Sequence, residues 1–83
     1  MELNIITPDQ AVYNGDATSV TVPGSAGSFE ILKDHAPIIS TLDDGDVIIR
    51  NNKETEVIRI KGGVVEVRND KITVLAEGVI TTK

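Results

Sequence analysis

Apolar residues in this chain recur at every second position, and most of them are β-branched. From Asp16 to Val22, Thr18, Val20 and Val22 fall on one side and Ser19 and Thr21 on the other. Ile58 and Ile60 alternate with Val57, Arg59 and Lys61. Val65 and Val67 alternate with Val64, Glu66 and Arg68, and Ile72, Val74 and Ala76 with Lys71, Thr73 and Leu75. A period of two with one apolar side is what an antiparallel sheet requires when one face meets the core and the other meets water. No window sustains the 3.6-residue apolar period of a capped helix, because Gly or Pro interrupts each one.

Turn residues punctuate the pattern. Asn14-Gly15-Asp16 can supply a positive φ between two short strands. Asp43-Asp44-Gly45-Asp46 separates Ile38–Leu42 from Val47–Arg50. Asn51-Asn52-Lys53-Glu54 reads as a hairpin connection, and Asn69-Asp70 as a tight two-residue one. Lys61-Gly62-Gly63 permits a sharp bend or a close backbone approach. Many short strands at such spacing predict an all-β fold, a flattened antiparallel β-sandwich of about nine or ten short strands.

The chain has 83 residues, the length of one domain. A domain of this size buries only roughly 60–65% of the surface its unfolded chain exposes, so its core is modest. That core must be aliphatic, since Tyr13 and Phe29 are the only aromatics. There is no cysteine to form disulfides or thiolate metal sites. A net charge of −5 argues against nucleic acid or anionic lipid as a partner, both of which need clustered Lys and Arg. No apolar run approaches the roughly 20 residues that span a bilayer as a helix, so direct membrane insertion is not expected.

The residues that could carry chemistry are few. His35 is the only histidine, and neither a triad nor a histidine zinc site has visible partners for it. It can bond within its own loop beside Pro37 or face a partner. The Gly24…Gly27 loop lacks the Gly-Lys-Ser/Thr ending of a phosphate cradle, and reads as a turn between strands. Asp43, Asp44 and Asp46 are not spaced as calcium ligands and read as a solvated turn. No catalytic residue, metal site or cofactor is therefore expected.

Several dispersed segments together resemble one family. They are Leu3-Asn4-Ile5-Ile6-Thr7-Pro8, Val12-Tyr13-Asn14-Gly15, Pro23-Gly24…Gly27, His35-Ala36-Pro37 and Gly62-Gly63…Glu66-Val67. In this order, and with Lys71-Ile-Thr-Val-Leu-Ala-Glu following, they resemble the N-terminal β-sandwich domain of the epsilon subunit of F-type ATP synthase. The resemblance runs from about Leu3 to Glu77 and implies a single epsilon-type sandwich over residues 1–83. It implies a non-catalytic central-stalk subunit of a proton- or sodium-translocating complex, coupling the gamma subunit to the c ring. The location implied is peripheral, at the cytoplasmic face of the bacterial inner membrane.

The resemblance also directs attention to surfaces. It implies a loop from Ser28 to Pro37 facing the c ring, with Ser28, Glu30, Asp34 and His35 as its polar residues. Many relatives have Gly-Ile-Leu-Pro-Gly-His before Ala-Pro; here Glu30-Ile31-Leu32-Lys33-Asp34-His35 stands instead, which alters the loop's backbone options. Val57, Val64 and Leu75 break the polar alternation opposite Ile58, Val65 and Val74, and become gamma-contact candidates. Most of the family continues into a two-helix C-terminal hairpin that can extend along gamma and stall hydrolysis. Here Val79-Ile80-Thr81-Thr82-Lys83 follows Glu77-Gly78, so an epsilon chain reduced to its sandwich and lacking that brake is expected.

One rival remains. Val65-Glu66-Val67-Arg68-Asn69-Asp70-Lys71-Ile72 is similar to the Asp-Lys hairpin of lipoyl-carrier domains, which would make Lys71 the modified residue. A lipoyl lysine lies midway along a domain of two similar halves, however, and only twelve residues follow Lys71.

Overall fold

The computed structural model describes residues 1–80. Eight strands follow in order: β1 (Glu2–Ile6), β2 (Ala11–Asp16), β3 (Ser19–Val22), β4 (Phe29–Leu32), β5 (Ile38–Leu42), β6 (Gly45–Asn51), β7 (Glu54–Arg68) and β8 (Lys71–Val79). The fold is the all-β class read from the alternation, with slightly fewer strands than nine or ten. The two apolar runs on either side of Gly62-Gly63 belong to one strand of 15 residues, β7.

The strands hydrogen-bond in the order β2-β1-β8-β7-β6-β3-β4, and β5 joins β7 off that path. β5 and β6 lie along the same edge of β7. Ile38–Leu42 pairs with Val67–Gly63, and Gly45–Asn51 continues the same register against Ile60–Glu54. Residues 38–67 thus form one long hairpin, folded where Asp43-Asp44 faces Lys61-Gly62. The fold carries the outer half, with β6, β3 and β4, over the half that contains β5, β8, β1 and β2.

The fold depends on β7 changing which side it buries. Ile60 is inward before the bend, and Val65 and Val67 after it. An uninterrupted strand would keep residues of one parity inward. Gly62 and Gly63 break the parity with φ values of 50° and 131°. A Cβ on Gly63 would collide with the carbonyl oxygen of Leu75 and lie 2.9 Å from Ala76 Cα, so glycine is required there for space as well as for φ.

Between the layers lies one aliphatic cluster: Leu3, Ile5, Val20, Val22, Ile31, Leu42, Val47, Ile49, Ile60, Val65, Val67, Ile72 and Val74, with Ala17 and Ala76. Phe29 and Tyr13 only flank it. Among the described residues the buried polar ones are Thr7 and Ser19. Thr7 Oγ1 donates to the Gln10 carbonyl at 3.2 Å and accepts from Gln10 N–H at 3.3 Å, which closes the turn between β1 and β2.

Three details depart from the sequence reading. β1 pairs with β8 in parallel, Glu2 with Lys71 through Ile6 with Leu75, within an otherwise antiparallel array. Asn14-Gly15-Asp16 forms the end of β2 rather than a turn, and Gly15 sits under the Tyr13 ring with Tyr13 Oη 3.3 Å from where a Cβ would be. Ser19 is buried alongside Val20, because β3 lies between β4 and β6. Of the tail, Val79 closes β8 and Ile80 N–H donates to Arg59 O at 2.8 Å; Thr81, Thr82 and Lys83 lie outside the described residues.

Candidate functional site

The segment from Ser28 to Pro37 is not one loop. Phe29–Leu32 is strand β4, paired antiparallel with β3 so that Glu30 faces Thr21 and Ile31 faces Val20. Ile31 is fully buried, and Glu30 points to solvent on the other side. Four strand residues span about 13 Å, so Ser28 and Asp34 stand at opposite ends of β4. Ser28 follows the glycine turn, in which Gly27 N–H donates to Gly24 O at 2.9 Å and Ser25 N–H reaches across to Thr41 O at 2.9 Å. A Cβ on Gly24 would sit 2.8 Å from Phe29 Cε1, so this glycine admits the Phe29 ring.

At the other end of β4 the chain reverses through Leu32-Lys33-Asp34-His35. His35 N–H donates to Leu32 O at 3.1 Å, and Asp34, the third residue, has φ 66°. A bonded four-residue turn with positive φ only at the third position is a type II turn, which favours Pro second and Gly third. Relatives with Pro-Gly before the histidine have those two residues there. Here Lys33 and Asp34 fill the second and third positions, and Asp is among the few non-glycine residues that tolerate left-handed backbone.

His35 is half-buried, with Nδ1 2.7 Å from Ala36 O, a distance at which Nδ1–H donates to the carbonyl and Nε2 is left available. Asp34 is exposed, and its N–H donates to Asp70 Oδ1 at 2.8 Å. The structure thus gathers Asp34 and His35 with the β7–β8 hairpin tip, leaves Glu30 on the flank, and places Ser28 away from them.

That hairpin tip has both centre residues in left-handed backbone, Asn69 at φ 52° and Asp70 at φ 60°. This is the type I′ turn expected of a two-residue hairpin. Lys71 follows the turn as the first residue of β8, exposed, and paired with Arg68 on one side and Glu2 on the other.

The three apolar gamma-contact candidates separate. Val64 and Leu75 are direct cross-strand partners, Leu75 lies beside Ile6, and Ile6 beside Ala11. The row Val64–Leu75–Ile6–Ala11 crosses four strands on one outer face. Leu75 is 53% exposed and Ile6 39%. Val57, 54% exposed, lies beyond the Gly62-Gly63 bend and pairs with Ile48 of β6. The bend sets Val57 on the other layer. Ile6 was not a candidate in the sequence, because nothing local announces that β1 lies parallel to β8. Ile39, 73% exposed on β5, also escaped notice for want of a known edge.

The acidic turn holds one ion pair, Arg59 Nη1 to Asp46 Oδ1 at 3.0 Å, with both side chains nearly half exposed, so it adds little stability. Among the described residues no group of three His, Asp or Glu side chains is close enough to hold a metal ion. None of the described residues lies in a helix long and apolar enough to cross a membrane.

The chain has counterparts among known proteins. The family described as "ATP synthase, Delta/Epsilon chain, beta-sandwich domain" matches residues 1–82. This chain belongs to that family. The ATP synthase epsilon chain of Sulfurimonas denitrificans is 40% identical over 84 residues, covering all of this chain and 65% of that protein. The Bacillus subtilis epsilon chain is 37% identical over 83 residues, again covering all of this chain and 63% of its relative. A chain in the cryo-EM structure of the Tetrahymena thermophila mitochondrial ATP synthase, central stalk and c-ring, superposes with a TM-score of 0.81 at 20% identity. That superposition covers 95% of this chain and 64% of the other, and it establishes likeness of fold. The recognition made from the sequence holds: the chain is a β-sandwich domain of that family, similar to the corresponding part of epsilon chains. It spans about 63–65% of the length of those two epsilon relatives.

Proposed function

We propose that this chain is the β-sandwich part of a non-catalytic central-stalk subunit of an F-type ATP synthase, and that it links the gamma subunit to the c ring during ion-driven ATP synthesis. The observation that carries the reading is the match of residues 1–82 to the Delta/Epsilon-chain β-sandwich family, together with the likeness to epsilon chains. Its place would be peripheral, at the cytoplasmic face of a bacterial inner membrane, held there by protein partners. The carrier reading of Lys71 loses its support, since the family match accounts for the hairpin as the β7–β8 turn of the sandwich.

The physical task is to transmit torque without bending. A sandwich suits it because backbone hydrogen bonds tie each strand to its neighbours and the packed interior resists shear. The gamma surface is assigned to the row centred on Val64 and Leu75, with Ile6 added and Val57 set aside. The ring-facing end is assigned to Asp34 and His35, with Glu30 on its flank and Ser28 left out.

The test is reconstitution of the rotor. Tagged chain, mixed with gamma and c subunits of the same organism, is expected to recover both, and single cysteines at Asp34 and His35 should crosslink to the polar loop of the c subunit. A cysteine at Ser28 should crosslink far less. Recovery of neither subunit, under conditions in which gamma and the ring bind each other, would refute the reading.

A further inference from the structure

Asp70 joins three chain segments that are far apart in sequence. Its main-chain carbonyl accepts from Glu2 N–H at 3.0 Å, which pins the hairpin tip to the start of β1. Its side-chain Oδ1 accepts from Asp34 N–H at 2.8 Å, across 36 residues of sequence. Its own backbone, at φ 60°, is fixed by the type I′ turn it shares with Asn69. Asp34 in turn holds a φ of 66° in a turn that favours glycine. Left-handed backbone is uphill for a residue with a Cβ, less so for Asp and Asn, and a hydrogen bond from outside the turn adds to what holds it there.

We infer that Asp70 is a positioning residue for the Leu32–His35 turn. Its carboxylate binds the one free backbone donor of the residue in left-handed conformation, and so fixes the direction in which Asp34 and His35 are presented. The hairpin tip is a rigid mount, because its backbone is tied both to β1 and along β8. Where a glycine would sit in this turn without strain, this chain uses Asp34 with a hydrogen-bond acceptor supplied from the β7–β8 turn. The functional consequence, presentation of His35 to the ring, rests on the reading proposed above; the positioning itself does not.

Asp70→Gly separates the two roles of the residue. Asn-Gly is the preferred type I′ pair, so the hairpin is kept or improved while the carboxylate is lost. In the full chain, amide exchange at Asp34 should quicken about 3- to 10-fold, the effect of losing one ordinary hydrogen bond. Exchange at Val65 and Ile72 in the core should stay unchanged. Asp70→Asn, which keeps an Oδ1 acceptor, should restore slow exchange at Asp34. Exchange at Asp34 within twofold of wild type in Asp70→Gly overturns the inference. Should that variant disturb the core amides, the wild-type chain alone decides: an Asp34 amide exchanging at the rate of an unstructured peptide also overturns it. Crosslinking from a cysteine at His35 to the c subunit provides the second arm. Yield that falls in Asp70→Gly and returns in Asp70→Asn supports positioning for the ring. Slowed exchange at Asp34 without any crosslink in wild type would refute the ring reading and leave the positioning role standing.

Discussion

Gly63→Ala is the substitution that most directly probes how this sheet folds over itself. Gly63 has φ 131°, a backbone region that residues with a Cβ rarely enter, and such strain costs about 1–3 kcal/mol. A Cβ there would also strike the Leu75 carbonyl and sit 2.9 Å from Ala76 Cα, both main-chain atoms that cannot swing aside. Moving β8 away to relieve the collision would loosen the pairs Val64–Leu75 and Val65–Val74 and open the core behind them. The expected loss is therefore at least about 3 kcal/mol, out of the roughly 4–12 kcal/mol that a domain of this size possesses. With a urea slope of about 1 kcal/mol/M, the unfolding midpoint should fall by roughly 3 M. Gly62→Ala provides a graded control. Its φ is 50° and its nearest neighbour is the flexible Glu77 side chain at 3.6 Å, so about 1–2 kcal/mol is expected. Gly78→Ala meets nothing within 4 Å and should cost less than about 0.5 kcal/mol. A Gly63→Ala midpoint within 0.5 M of wild type, roughly 0.5 kcal/mol at that slope, would refute the account of the bend.

Four further outcomes can be checked. Leu75→Asp should weaken gamma binding at least about tenfold in titration, with a circular-dichroism melt close to wild type because the side chain is exposed; Val57→Asp should weaken it much less, and equal losses would reject the single-row interface. Val64→Asp, at a half-buried position, should cost both binding and some stability; unfolding of the isolated chain would assign Val64 to the core. Lys33→Pro should stabilise the chain by about 0.4–1 kcal/mol in urea unfolding, since proline presets the second residue of a type II turn and restricts the unfolded chain; a destabilised variant would mean that the turn is not of that type. Arg59→Ala should change stability by less than about 0.5 kcal/mol, because the ion pair with Asp46 lies in solvent.

Local chemistry made a large part of the fold legible. Asn69-Asp70 between two alternating runs announced a two-residue hairpin, and both residues do take positive φ. Ile72, Val74 and Ala76 were readable as one inward side of a strand, and all three are buried. Asn14-Gly15-Asp16 carried the same kind of turn signal and misled. Its glycine serves to make room beneath Tyr13, a contact two residues away that no turn preference encodes. The sequence set Asp34 and His35 together, and they share one turn beside Asp70. Ser28 lies at the far end of β4, a short edge strand of mixed pattern whose length nothing in the local sequence announces.

Alternation and turn residues, by themselves, determined that this chain forms sheet, where its hairpins close, and which side of most strands is apolar. These are properties of a few consecutive residues, set by backbone sterics and by the two-residue repeat of side chains along a strand. Which strands become neighbours is a different matter, because a backbone hydrogen bond is the same between any two strands. Only the packed structure decided that β1 lies parallel to β8, that β5 and β6 share one edge of β7, and that Val57 is parted from Val64. It also decided that Asp70 meets Asp34. The choice is made by joint burial of the whole aliphatic cluster, to which Gly62 and Gly63 contribute by letting one strand serve both layers, and no segment of the chain can express that alone.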